Sequence, residues 1–261
     1  MDDSFGVNPR TLGPYTSRQT ILFVGEADFT LARAVANALG GERIIATSLE
    51  PFGELCKKYS KAPVVISHLK TLKATVVHGV DATRLHAFPQ LPRSAIMRVV
   101  FFFPHVGGGS LQSECAQEHQ TLLREFFRSC RDDLTHPALE VHVALRNTVA
   151  YRQWGIADVA EAEGWSLKRS QKLDTSIFPG YTPQRTHPHA RAAPDANDAT
   201  LSMFVRANPR PVANADPNML TMLSCLEETR RSKPTALPTN TRPRREEKEK
   251  AVAGGGVAGG A

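Results

Sequence analysis

The sequence predicts an α/β protein with a mostly parallel β-sheet and helices on both faces. Short apolar runs alternate along the chain with stretches in which apolar residues recur at helical spacing, as in strand–helix–strand units. The early runs, such as TILFVG at 20–25, are continuously apolar, which is typical of strands buried on both faces. No GxGxxG motif follows the first run, and this disfavours a nucleotide-dependent dehydrogenase.

The predicted elements follow one another from residue 20. A helix capped by Asp28 or Thr30 follows the first strand and ends at Gly40. Pro51 and Pro63 indicate two short helices after the second strand. Apolar spacing predicts further helices over 110–134 and 151–163. The predicted strands are 20–25, 43–50, 74–83 with its exit loop, 98–103, 139–145, 165–173 and 200–207.

Composition divides the chain into three parts. Residues 1–18 contain two prolines and predict a flexible amino-terminal arm, and residues 19–207 form the α/β domain. Residues 208–261 predict a largely disordered tail, because proline, charged residues and glycine leave little apolar surface to bury. A basic cluster at 242–245 is a nuclear signal, an RNA contact or a solvated segment.

Charge and cysteine content narrow the function classes. The formal net charge is +6 and the pI is about 9.3, which is compatible with a nucleic-acid partner. The four cysteines form no CxxC pair, which disfavours a disulfide framework or a structural zinc site and favours a reducing intracellular compartment. The sequence shows neither a signal peptide nor an apolar run of membrane-spanning length. We expect no membrane partner, no bound metal and a monomer.

The strand exits carry the candidate site, because ligands of open α/β sheets bind at the carboxyl ends of the strands. At the first exit, VGEADFT (24–30), Gly25 lets a ligand approach the backbone. Glu26 and Asp28 would repel a pyrophosphate there and attract a cationic or zwitterionic ligand. Asp28 is equally consistent with a simple helix cap.

Two further acids follow the next exits. Glu50 can accept hydrogen bonds from ribose hydroxyls, and Asp81 from an adenine amino group, with the Ala82 N–H beside it. Each acid also has a plainer interpretation, an exposed strand-end carboxylate for Glu50 and an Asx turn for Asp81. Three acids at three consecutive exits are more specific together than singly.

The fourth exit, VVFFFPHVGGGS (99–110), ends an apolar strand with a proline, a histidine and three glycines. Pro104 has no N–H, so it ends the ladder and leaves the preceding carbonyl as a rigid edge for a planar base. His105 can hydrogen-bond that base or take a proton, since an imidazole titrates near neutrality. A tight strand-to-helix turn capped by Ser110 explains the same residues.

Seven segments then match one family in order: ILFVGEADFT, ATSLE, GVDAT, VVFFFPHVGG, VHVALRN, YRQWGI and FPGYTPQRT. Over roughly residues 19–207 the chain resembles the family of the fungal 25S ribosomal RNA uridine-N3 methyltransferase. The resemblance implies a Rossmann-like class I methyltransferase that uses S-adenosylmethionine to methylate N3 of a uridine in large-subunit rRNA. It also implies the pre-ribosome as partner and a nuclear and nucleolar location, with the cytoplasm as the alternative.

The resemblance also implies roles for the motif residues. His105 is the candidate base for the uridine N3 proton, and a main-chain carbonyl at Phe103 or Pro104 orients that N3–H. Tyr181 and Arg185 would stack on a flipped base and contact phosphate, unless they form a structured surface loop. The implied cofactor residues are Gly25, Glu26, Ala27, Asp28, Phe29, Glu50, Asp81, Ala82 and Thr83, and the implied substrate residues are Phe102, Val106, Gly107, Tyr181 and Arg185.

Several positions depart from the family pattern. Ala27 stands where the family has a glycine, and Met97 stands where it has an aspartate. Leu49-Glu50 stands where the family has a Tyr-Asp pair, so the acid is kept. Phe102 replaces an asparagine that resembles the base-holding residue of Asn-Pro-Pro-Tyr sites. Phe102 favours the main alternative, a catalytically degenerate methyltransferase fold that binds RNA or assists ribosome assembly. A small-molecule methyltransferase is a third possibility, against which the basic pI argues. The basic residues of 168–172 would extend an RNA track or form a solvated strand face.

Overall fold

The computed structural model describes residues 8–106, 116–184 and 196–207, which contain nine strands and six α-helices. The strands are β1 (Thr11–Leu12), β2 (Tyr15–Thr16), β3 (Thr20–Phe23), β4 (Ile44–Ser48), β5 (Thr75–His78), β6 (Ile96–Phe102), β7 (Glu140–Arg146), β8 (Trp165–Lys172) and β9 (Ala199–Arg206). The helices are α1 (Thr30–Leu39), α2 (Phe52–Lys58), α3 (Ala62–Thr71), α4 (Ala116–Asp133), α5 (Val149–Arg152) and α6 (Ile156–Ala162). None of these helices is long and apolar enough to cross a membrane.

Seven of these strands form one sheet in the order β5-β4-β3-β6-β7-β9-β8. The strands from β3 to β7 pair in parallel, whereas β9 runs antiparallel to both β7 and β8. The chain builds outward from β3 to β5 and then returns to place β6 on the other side of β3. The order therefore reverses between β3 and β6, and a ligand crevice is expected at the carboxyl ends of these two strands. The predicted mostly parallel α/β sheet is confirmed.

Side chains of the central strands alternate between two apolar cores. Ile21 and Phe23 of β3 pack in one core with residues of α1 and α3, and Leu22 packs in the other with residues of α4. All three side chains are fully buried. This two-sided burial explains why the strand is a continuous apolar run rather than an alternating one.

Residues 11–16 correct the predicted flexible arm. They form a β-hairpin, β1 paired antiparallel with β2, in which Gly13 turns the chain with a φ of 54°. The Tyr15 ring is fully buried, with its centroid 6.5 Å from that of Phe23 and 6.4 Å from that of Phe178. The prediction is wrong for these residues because one aromatic side chain anchors a segment that shows no periodicity. Residues 1–7 and the predicted tail, 208–261, lie outside the described residues.

The helix predicted over 151–163 is also corrected. It divides into α5 and α6 at Gly155, which has a φ of 56° and so leaves the right-handed helical region. The two short helices predicted around Pro51 and Pro63 are confirmed, with Pro63 in the first turn of α3 rather than at a break. Both closing strands, β8 and β9, are confirmed.

Candidate active site

The exit of β3 lies at the reversal of strand order and is fixed by its backbone. The Val24 N–H donates to the Val100 carbonyl at 3.0 Å, and the Glu26 N–H donates to the Thr47 carbonyl at 2.9 Å. Gly25 between them has a φ of 66°, and a Cβ built on it would lie 2.5 Å from Cε2 of Phe101. Only glycine fits both the conformation and the space, so the loop is held against the sheet where the crevice opens.

Asp28 contacts the first turn of α1. Its Oδ1 accepts hydrogen bonds from the Thr30 N–H at 3.1 Å and the Thr30 hydroxyl at 2.7 Å. Phe29 precedes the helix in the left-handed region, and its buried ring lies 5.5 Å from that of His78. The prediction that Asp28 or Thr30 is the N-cap is wrong, because Phe29 takes that position without a side-chain cap, and Asp28 contacts the first turn from one residue earlier. A contact from Phe29 to a ligand would have to come from its backbone.

Glu26 is the acid whose chemistry the fold changes most. Burial first, and then the neighbouring charge of Asp28, raise the pKa of its carboxyl to about 8. A weak contact from the Ala32 N–H, 3.4 Å from Oε2, opposes the rise. A desolvated carboxyl beside a second carboxylate has a strong electrostatic preference for a positively charged partner.

Glu50 and Asp81 already have protein partners. Glu50 pairs with Lys58, Oε1 to Nζ at 2.5 Å. Asp81 forms the alternative Asx turn, since its Oδ1 accepts from the Thr83 N–H at 2.9 Å and the Thr83 hydroxyl at 2.6 Å, and its Oδ2 accepts from Arg84 Nε at 3.0 Å. Burial alone would raise the pKa of the Asp81 carboxyl. The hydrogen bonds from Thr83 and Arg84 outweigh this effect, so the pKa of Asp81 is lowered.

Two large apolar side chains next to Glu50 in the chain are exposed. Leu49 is 58% exposed and Phe52 is 48% exposed, directly before and shortly after Glu50. The Phe52 ring lies 5.3 Å from that of His78, whose Nδ1 lies 2.8 Å from the Ser48 hydroxyl. Sequence reasoning missed Phe52, although an aromatic residue just beyond a strand-end acid is a signal for an apolar surface beside a nucleoside site.

The exit of β6 presents an aromatic wall, the rings of Phe102, Phe103, Phe178 and Tyr181. The centroid of the Phe102 ring lies 6.2 Å from that of Phe103, 6.1 Å from that of Phe178 and 6.2 Å from that of Tyr181. Alternation along β6 turns Phe101 the other way, where it packs on Phe126 of α4. Phe103 has a φ of 53°, and its N–H donates to the Ala144 carbonyl at 2.9 Å. Phe102 thus joins the aromatic wall instead of presenting a polar group.

The FPGY loop, residues 178–181, connects this aromatic wall to the acidic exit of β3. The Gly180 carbonyl accepts from Arg33 Nη2 at 3.3 Å, and the Thr182 N–H donates to the Thr30 hydroxyl at 3.5 Å. Burial, followed by the nearby charges of Glu26 and Asp28, raises the pKa of Tyr181 far above its usual range. The Tyr181 hydroxyl therefore remains protonated, and the structure brings it beside the acidic pair.

His105 lies in a cluster that sequence reasoning missed. Its Nε2 is 2.8 Å from the Tyr151 hydroxyl, and its Nδ1 is 3.1 Å from Nε2 of His119. The His119 ring stacks on the Trp154 indole, with centroids 4.0 Å apart and an interplanar angle of 11°. Tyr151 and Trp154 belong to the YRQWGI segment, so the motif itself was the signal. Nothing in the sequence marks His119, which lies on α4.

The remaining predicted residues are less central. Pro104 is buried, Val106 is half-buried, and Gly107 and Arg185 lie outside the described residues. The basic residues of 168–172 lie on β8 at the outer edge of the sheet, away from the β3–β6 reversal. Lys168 pairs there with Glu140 at 2.8 Å. The structure does not bring this basic strand to the candidate site.

The chain is similar to proteins of one known family. A family model described as BMT5-like, rRNA (uridine-N3-)-methyltransferase BTM5-like, matches residues 22–185. Heavy metal-associated isoprenylated plant protein 41 of Arabidopsis thaliana is 33% identical over 186 residues, 70% of this chain but 36% of that protein. Uncharacterized protein At4g26485 of the same plant is 32% identical over 69% of this chain and 88% of its own. The chain thus spans about a third of the first relative and most of the second.

A distant relative carries a named activity. The 25S rRNA (uridine(2634)-N(3))-methyltransferase of Saccharomyces cerevisiae is 23% identical over 76% of this chain and 75% of its own. Among solved structures, the 16S rRNA methyltransferase KamB aligns at 14% identity and a TM-score of 0.41, over 77% of this chain and 100% of its own. Because the family model covers the β3 exit, the β6 exit and the FPGY loop together, the chain belongs to the BMT5-like family of rRNA (uridine-N3) methyltransferases.

Proposed function

We propose that this protein transfers the methyl group of S-adenosylmethionine to N3 of a uridine in large-subunit ribosomal RNA, as a step of ribosome biogenesis in the nucleolus. One observation carries the proposal. At the reversal of strand order, the desolvated carboxyls of Glu26 and Asp28 lie beside Tyr181, which is itself part of the aromatic wall. A pair of desolvated carboxyl side chains next to a stacking surface suits a cationic methyl donor and a flat base.

The chemistry of the side chains fits the cofactor. Glu26 offers a desolvated carboxyl to the positive charges of the methionine moiety, and Glu50 offers a carboxylate to the ribose hydroxyls in competition with Lys58. The exposed Leu49 and Phe52 provide apolar surface for an adenine ring. Asp81 orders the third exit through its Asx turn, and its contact with adenine remains a prediction.

The RNA base would be held by the aromatic wall. A base that leaves its stack loses stacking energy, and aromatic side chains return about 1–3 kcal/mol per base. Tyr181 and the half-buried Phe102 supply that surface. The protonated Tyr181 hydroxyl can also donate a hydrogen bond to a uracil carbonyl. This arrangement supports a base site made by stacking, without the amide that the family pattern places at position 102.

Methyl transfer from a sulfonium is an in-line displacement, to which the protein contributes alignment and exclusion of water. The N3 atom of uridine carries a proton and becomes a good nucleophile only when that proton leaves. His105 follows the aromatic wall by two residues and is the candidate base. Bound cofactor would supply the electrophilic methyl group, and the chain supplies the base, the stacking surface and the pair of carboxyl side chains.

Two measurements test the proposal. Calorimetry of S-adenosylmethionine and S-adenosylhomocysteine with wild type and Asp81→Ala should show micromolar binding that the variant loses. Ribosomal RNA incubated with the protein and cofactor should then acquire a reverse-transcription stop at one uridine, because an N3 methyl group blocks base pairing. RNA binding without cofactor binding in folded protein would reject methyl transfer and favour the degenerate, RNA-binding alternative.

A further inference from the structure

The segment YRQW and α4 together build a hydrogen-bonded chain around His105. Its order is the Tyr151 hydroxyl, Nε2 and Nδ1 of His105, and Nε2 of His119, with heavy-atom distances of 2.8 and 3.1 Å. Three different elements supply these groups, the β6 exit, α4 and α5. A chain assembled from three elements is held in place by the fold rather than by local sequence.

A hydrogen bond between two imidazoles contains one proton. One ring donates it and the other accepts it, so the tautomer of His105 and that of His119 are fixed together. If the Tyr151 hydroxyl donates to Nε2 of His105, then Nδ1 of His105 carries a proton and donates it to His119. In this state His105 presents a lone pair at Nε2, which is the state that a general base requires.

His119 is well placed to receive a proton. It is 1% exposed, and its ring lies parallel to the indole of Trp154, which is 2% exposed. Burial alone disfavours a charged imidazole, but an indole face 4.0 Å away attracts a cation, an effect that strengthens when water is excluded. Among the described residues, the Tyr151 phenol contacts His105 and the neutral Trp154 indole contacts both rings.

We propose that Tyr151 and His119 are positioning residues for His105. Tyr151 sets the tautomer in which His105 acts as the base, and His119 receives the proton from Nδ1 of His105. This inference rests on the proposed function. The N3–H donor of uridine replaces the Tyr151 hydroxyl at Nε2 of His105. The N3–H bond breaks and an Nε2–H bond forms, while the Nδ1 proton of His105 moves to Nε2 of His119. The electron pair stays on N3, which would then be the nucleophile for the methyl group that a bound cofactor supplies, and the positive charge ends on His119 against Trp154.

The first test needs no cofactor or RNA. Histidine-selective ¹⁵N NMR of the full chain should show one protonated and one unprotonated nitrogen across the His105–His119 contact, and the two rings should titrate as a coupled pair. In His119→Phe, which keeps the stack on Trp154, the titration of His105 should move to lower pH by about one unit, because the protonated ring has lost its acceptor. His119→Gln, whose carbonyl can accept, should recover part of that shift.

The second test measures turnover on the RNA. His119→Phe should lower kcat at least tenfold, leave KM for the cofactor within twofold, and move the acid limb of the kcat profile with the NMR titration. If His119→Phe does not fold, the wild-type spectra and His119→Gln decide the matter. Independent titration of the two rings in an active enzyme overturns the relay alone. Coupled titration in a protein that methylates no RNA overturns the proposed function and the relay with it.

Discussion

Under the proposed role of Glu26 in cofactor binding, its raised pKa predicts how the cofactor affinity depends on pH. The free protein holds a proton on this carboxyl up to about pH 8, because burial and Asp28 disfavour the charge. A cationic ligand favours the ionised form, so binding must first remove that proton. A group with a pKa of about 8 is ionised in roughly 1% of molecules at pH 6 and in half at pH 8. The affinity for S-adenosylmethionine should therefore rise about fifty-fold across this interval, which corresponds to about 2.3 kcal/mol.

Calorimetry at pH 6, 7 and 8 measures this dependence, and buffers of different ionisation enthalpy report the proton released on binding. Glu26→Gln is the matched control, because it keeps the shape and cannot ionise. The amino group of the cofactor titrates equally in both proteins, so the difference between their slopes belongs to Glu26. Equal slopes in wild type and variant would refute the reasoning. The folded state binds more protons than the unfolded state between pH 4.5 and about 8, so stability should fall as pH rises through that range, and Glu26→Gln should remove the fall.

Four further outcomes are expected. Gly25→Ala should lower the free energy of unfolding by about 1–3 kcal/mol in a urea titration, because the new Cβ meets Phe101 in a left-handed conformation; Gly53→Ala, whose Cβ meets nothing within 4 Å, is the control. Asp81→Ala should weaken cofactor binding measured by calorimetry more than Asp81→Asn, since the amide keeps the acceptor of the Asx turn, and equal losses would mean that the charge itself binds. Tyr181→Ala should lower RNA affinity in a filter-binding assay by about 1–3 kcal/mol and more than Tyr181→Phe, which keeps the stacking ring; no difference between them would remove Tyr181 from the base site. Hydrogen bonds from His142 and Lys168, with the charge of Arg98, hold the pKa of Glu140 at about 2. The ionised Glu140 therefore stabilises the fold above pH 4.5, and this stabilisation is lost as the pH falls toward 2. Glu140→Gln should flatten this part of the acid unfolding curve and lower the free energy of unfolding by up to about 3 kcal/mol at pH 7.

Much of the fold could be predicted because it is encoded locally. The run at 21–24 is apolar at every position, and both faces of this strand are buried in the structure. The hairpin at 11–16 could not be predicted, because its stability comes from the insertion of Tyr15 among residues far along the chain. Gly155 divides a helix whose apolar spacing continues across it, and a single glycine does not by itself indicate a left-handed backbone.

The candidate site was predictable only in part, for a similar reason. Chain position alone places Glu26, Asp28 and the residues after β6 at the same edge of a parallel sheet. The direction of Phe102 could not be read from the sequence, because it depends on which face of β6 meets the FPGY loop. His119 has no local signature, since its role as a partner of His105 arises only when α4 folds back against the strand exits.

The amino-terminal hairpin gives the site a support that lies outside the parallel sheet. Tyr15 packs on Phe178, and Phe178 opens the loop that carries Tyr181 to the acidic exit of β3. A chain cut at residue 19 would keep every strand of the main sheet, yet it would leave a hollow behind that loop. The amino-terminal hairpin therefore supports the position of the FPGY loop, and with it that of Tyr181, from outside the parallel sheet.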